Sequence, residues 1–164
     1  MIILESAYPV LACVFGWAVL GKFGRFREFT RQVADYRMLP AVLSGPVALA
    51  VVCGETAATV LLVPPVTRLF GAALATALLA VFLVAQVSAA LRGLEIDCGC
   101  FGGTDELSAI GPATITRTAL LLLLAVGADA AGATPFQPLQ LLVGPLLAGA
   151  VGLLPELAQR RYSR

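Results

Sequence analysis

The chain has 164 residues, 59% of them hydrophobic and 13% charged, with a formal net charge of +1. Soluble domains carry about one quarter charged residues, so this composition belongs to an integral membrane protein. The near-neutral balance excludes a nucleic-acid footprint. The absence of histidine excludes Ser-His-Asp and Cys-His nucleophiles, histidine metal motifs and a histidine pH switch.

Glu5 and no basic cluster precede the first apolar run, which therefore reads as a span, not a cleaved signal. This span covers about residues 6–24. Lys22, near its end, is expected to snorkel its ammonium to the interface, with Tyr8 and Trp17 as interface anchors. Cys13 lies mid-span and reads as a small apolar packing residue.

Lys22, Arg25, Arg27, Arg31 and Arg37 then outnumber Glu28 and Asp35, while Phe23, Phe26, Phe29 and Val33 recur at helical spacing. That pattern predicts an amphipathic helix lying flat at the cytoplasmic headgroups. A second span covers about 40–63, with Pro46 in its first turns as a potential kink and Pro64-Pro65 closing it. Glu55 lies well inside this span. A carboxylate at that depth must be paired, protonated or turned to a wet cavity. It is either a functional group or half of a structural ion pair, for which Arg117 is the natural partner. Cys53, two residues away, points to the other side of the helix.

Arg68 closes a tight turn before a third span at about 69–91, in which Gly71, Ala72 and Ala75 permit close helix approach. The polar break that follows contains Asp97-Cys98-Gly99-Cys100-Phe101-Gly102-Gly103. A fourth span runs over about 110–128, with Arg117 two turns inside. A fifth runs over about 138–155, interrupted by Gly144-Pro145, before a basic tail. The expected fold is all-α: a polytopic transmembrane bundle with a four-helix core, a fifth C-terminal span and an interfacial helix after the first span. It forms a single integral membrane domain over 1–164, multi-pass in the plasma membrane. With five crossings, the positive-inside rule puts the 22–37 stretch, the C-terminal tail and the thiol break on the cytoplasmic side.

The thiol break concentrates the reactive chemistry. A disulfide between Cys98 and Cys100 would close a small strained ring, and strain makes such a bond a readier oxidant. Gly99 supplies the backbone freedom the ring needs. Gly102 and Gly103 leave the sulfurs accessible. Reactivity requires thiolate, and the local charges compete: Glu95, Asp97, Asp105 and Glu106 oppose it, while Arg92 and Arg117 favour it.

The run 93–102, with Cys98-Gly99-Cys100-Phe101-Gly102 between the third and fourth spans, resembles the methylamine-utilisation MauE family, relatives of DoxX-type membrane proteins. Gly21-Lys22 with Phe26, Tyr36 with Leu39-Pro40, and Glu55 also match. Arg117 fits the basic residue near the start of the fourth helix, although Thr118 follows it where Asn is expected. The resemblance covers roughly 17–128. It implies a helical membrane protein of thiol redox chemistry that supports maturation of an exported protein with a thioredoxin-like partner. Cys98 and Cys100 would be the redox pair, and Gly99, Phe101 and Gly102 would shape the binding surface around it. Glu55 and Arg117 would form an intramembrane polar pair.

Two other readings stand beside this one. Two thiolates can hold Cu(I), whereas zinc would need ligands this stretch does not supply. A structural subunit whose loop docks a partner is the third. A lipid-soluble quinone is a conceivable electron sink for a membrane thiol oxidant, but no sequence pattern identifies its pocket.

Overall fold

The computed structural model describes residues 7–94 and 111–131, and all the regular structure among them is helical. The fifth span at 138–155 and the thiol break lie outside the described residues. In lipid, every backbone polar group must be satisfied within its own segment, so the Leu-, Ala- and Val-rich runs become helices. These are α1 (Ala7–Gly24), α2 (Phe26–Asp35), α3 (Ser44–Leu62), α4 (Arg68–Leu91) and α5 (Pro112–Ala131). A short 3-10 turn, Ala41–Leu43, leads into α3. Helices α1, α3, α4 and α5 are each long and apolar enough to cross a membrane.

The four long helices form a closed ring: α1 packs on α3 and α5, α3 on α4, and α4 on α5. Each turns one stripe inward. In α3 the stripe is Ser44, Ala48, Val52, Glu55, Ala58 and Leu62, at three- and four-residue spacing. The shared core joins Leu11 and Phe15 of α1 to Leu62 of α3, Leu79 of α4 and Leu121 of α5. Trp17 and Leu20 face outward, 67% and 72% exposed, as befits a lipid-facing surface.

Helix α2 is amphipathic, as its spacing predicted. Phe29 and Val33 pack on Ala48, Val51 and Val52 of α3, while Arg25, Arg27 and Arg31 are exposed. Pro46 introduces no break in α3. It stands in the first turn, where backbone N–H groups have no intrahelical partner to lose. Cys53 is exposed and Glu55 buried, on opposite faces of α3.

Two glycines have defined tasks. Gly93, at φ 64°, ends α4: its N–H donates to Ala90 O, and Leu94 N–H donates to Ala89 O. This is the left-handed helix stop that glycine adopts most easily. Arg92 then donates from Nη2 to Tyr36 O at 2.5 Å, tying the end of α4 to the end of α2. The chain therefore leaves the described region at Leu94 on the side of the bundle that carries α2. The antiparallel packing of α5 on α4 brings Gly111 back at that same end.

At Gly71 the start of α4 comes against the backbone at the end of α3. A Cβ there would lie 2.8 Å from the backbone of Leu61 and Leu62. Gly71→Ala should therefore destabilise the bundle by about 1–3 kcal/mol, as overpacking does. Gly45→Ala, with nothing within 4 Å of the added Cβ, should not. Thermal unfolding of the two variants in detergent measures the difference. Equal midpoints would show that the α3–α4 contact yields freely.

Candidate functional site

Lys22 is the last basic residue of α1 and falls on the inward stripe with Leu11, Phe15 and Ala18. Its side chain is 2% exposed and that of Glu55 is 1%. Nζ donates to Glu55 Oε1 at 2.5 Å. The ammonium also stands over the Phe29 ring at 5.1 Å and the Phe82 ring at 5.5 Å. A single cation thus joins α1 to α2, α3 and α4.

This arrangement revises two expectations. Lys22 does not snorkel outward; it turns inward because a buried carboxylate and two aromatic faces are within its reach. The direct ion partner of Glu55 is accordingly Lys22 and not Arg117. Arg117 instead lines, with Glu55 and Thr118, a small cavity of 30 Å³ walled by Phe15, Leu79 and Phe82. That is room for a water molecule. Within the described residues Oε2 of Glu55 is buried without a hydrogen-bond partner. Thr118 donates its hydroxyl to Thr114 O at 3.1 Å. The structure thus brings Glu55 and Arg117 to one cavity without joining them as an ion pair.

On the other side of the Lys22–Glu55 pair lies a larger groove of 470 Å³. Phe29 and Val33 of α2, Val47 and Val51 of α3, and Phe82 and Ala85 of α4 form its walls. Lys22 and Gln86 are the buried polar side chains that line it. Phe82 borders both cavities.

A second polar cluster occupies the opposite end of the bundle. Arg68 is 2% exposed and lies over the Tyr8 ring at 5.5 Å. Tyr8 donates its hydroxyl to Ala128 O at 2.9 Å, and Thr76 donates to Asp129 Oδ2 at 2.8 Å. Tyr8 is therefore a bundle-internal bond between α1 and α5, not an interface anchor.

Cys98, Gly99, Cys100, Phe101 and Gly102 lie outside the described residues. Of the other cysteines, Cys13 is half-buried and Cys53 exposed, both as free thiols. No group of histidine, cysteine or carboxylate side chains able to hold a metal occurs among the described residues.

Sequence reasoning missed Lys22, Gln86 and Asp129 as internal polar groups. Position on the helix could have revealed the first two. Gln86 falls on the inward stripe of α4 with Ala75, Leu79 and Ala89, as Lys22 does on that of α1.

A ring of antiparallel apolar helices, with an ion pair inside it and an amphipathic helix at one end, defines a multi-pass membrane protein with a polar interior. Comparison with known proteins narrows the class. The family described as "Methylamine utilisation protein MauE" matches residues 1–130. The MauE protein of Paracoccus denitrificans is 38% identical over 150 residues, covering 88% of this chain and 78% of the relative. That of Paracoccus versutus is 37% identical over 144 residues, covering 86% and 76%. That of Methylophilus methylotrophus is 32% identical over 112 residues, covering 68% and 59%. No solved structure shows a significant match. The chain belongs to the MauE family.

The Lys22–Glu55 pair should govern stability. Removing one partner leaves the other charge buried and uncompensated, at a cost of about 3–5 kcal/mol. Lys22→Met and Glu55→Leu should each cause a loss of that order, and the double variant should recover much of it. A double-mutant cycle from unfolding in mixed micelles measures the coupling. Strictly additive losses would show that the two side chains do not depend on each other.

Proposed function

We propose that this chain is a membrane thiol–disulfide redox and maturation factor acting in methylamine utilisation, the process named in its relatives' descriptions. Cys98 and Cys100 are the exchanging pair. On oxidation two S–H bonds are lost and one S–S bond forms, with two electrons and two protons leaving. In exchange with a partner disulfide, the electrons end on the partner's sulfurs. The partner is a thioredoxin-like protein that serves the exported protein, and the membrane is the plasma membrane.

The observation that carries this reading is the placement of the dithiol's two flanks. Leu94 and Gly111 stand at the end of the bundle that also carries α2, where Arg92 is bonded to the last turn of α2. The stretch that carries Cys98 and Cys100 joins those two ends along the chain, which supports a dithiol served by this end of the bundle. In this reading Glu55 and Arg117, which line one small cavity, are the intramembrane polar groups that support the exchange. The basic exposed face of α2 supports a cytoplasmic placement of this end.

Cys98→Ser and Cys100→Ser should each abolish maturation of the partner in cells. Either single variant, holding one free thiol, should accumulate a mixed disulfide that alkylation and mass spectrometry capture. Full complementation by the double serine variant would end the proposal. A membrane-impermeant maleimide should label the pair in inverted vesicles and not in intact cells; the reverse pattern would overturn the assigned side.

A further inference from the structure

We propose that the groove between α2, α3 and α4 binds an isoprenoid quinone, with Lys22 and Gln86 facing its carbonyl end. Its volume of 470 Å³ falls within the range of small-molecule sites, about 300–1,000 Å³. Val81 and Val84 line it and are 62% and 63% exposed on the outside of α4, so the groove opens onto the surface that lipid covers. An occupant arrives through the bilayer and is lipid-soluble.

The polar groups restrict its chemistry further. The Lys22 ammonium has three hydrogens to donate and accepts none. One goes to Glu55 Oε1. An acceptor on the ligand meets the others. That acceptor is uncharged, for a physical reason. Glu55 already neutralises Lys22, and both side chains are buried. A fatty-acid carboxylate or lipid phosphate would place a second negative charge beside a desolvated carboxylate, which low-dielectric surroundings penalise heavily. A carbonyl oxygen carries no such penalty. The Gln86 amide adds a further hydrogen-bonding group at the groove, buried to 1% exposure. The rings of Phe29 and Phe82, both within 5.5 Å of the ammonium, line the groove and supply flat walls for a conjugated ring. A flat, neutral, carbonyl-bearing, lipid-soluble molecule meets these requirements, and a quinone is one such molecule.

The choice of a quinone among neutral carbonyl lipids rests on the thiol reading, which requires a two-electron acceptor. The exchange balances. One dithiol loses two S–H bonds and forms one S–S bond. The quinone gains those two electrons and two protons, and its two carbonyls become the hydroxyls of a quinol. The two free thiols within the spans, Cys13 and Cys53, need take no part.

The test uses the full-length chain in lipid nanodiscs, in a Cys98→Ser/Cys100→Ser background so that binding is read apart from thiol chemistry. An azido-substituted short-tail ubiquinone is photolysed, with decylubiquinone, oleate or phosphatidylglycerol as competitor. Labelled peptides should come from 29–36 and 80–86, and decylubiquinone alone should suppress them. Gln86→Leu, and Ala85→Leu as a groove-filling variant, should weaken decylubiquinone competition about tenfold. Their thermal midpoints identify any variant that has failed to fold, and the wild-type competition needs no variant. Labelling elsewhere, or suppression by oleate or phosphatidylglycerol as strong as by decylubiquinone, would overturn the site; the latter would mark a general lipid groove. A groove that labels while the native dithiol fails to reduce decylubiquinone upholds the site and refutes electron transfer from the dithiol to it. Thiol exchange with a partner and no groove labelling refutes the site and upholds the thiol reading.

Discussion

The Lys22 ammonium against the Glu55 carboxylate is the contact on which the arrangement of this bundle turns. Either charge alone inside a ring of apolar helices would be prohibitive, so the helices must meet in the register that joins them. Lys22 sits near the end of α1, and Glu55 is buried well along α3. Their bond fixes how far the two antiparallel helices slide past each other. Phe29 and Phe82 then fix α2 and α4 against the same cation. Nonspecific apolar packing cannot do this, because lipid is as apolar as leucine and rewards no particular register.

Small residues and helix ends complete the specification. Gly71 lets the start of α4 come against the backbone of Leu61 and Leu62 at the end of α3, and Gly93 ends α4. Arg92 binds that stop to the end of α2. Helix α2 is thus tied to the end of α4 that precedes Cys98 in the chain.

The ion pair also divides the interior. On one side lies the small cavity shared with Arg117 and Thr118. On the other lies the groove beneath α2. The ammonium of the pair lines the groove and its carboxylate lines the small cavity.

The succession of apolar runs, the amphipathic spacing of Phe23, Phe26, Phe29 and Val33, and the isolation of the Cys-Gly-Cys stretch between spans were all legible in the sequence. Each follows from local periodicity and from the cost of exposing a backbone to lipid. That Glu55 needed a partner was legible for the same reason. Which partner it takes was not. Lys22 and Arg117 were both within conceivable reach, and a lysine at the end of a span snorkels or turns inward according to what stands beside it. The packing of α1 on α3 decided in favour of Lys22. The groove was invisible as well, because its walls come from three helices whose residues share no pattern along the chain. Sequence governs what each segment does in lipid, since that depends on neighbours three and four residues away. Only the tertiary structure brings charges and cavities from separate helices to one place, since that depends on the register in which the helices pack.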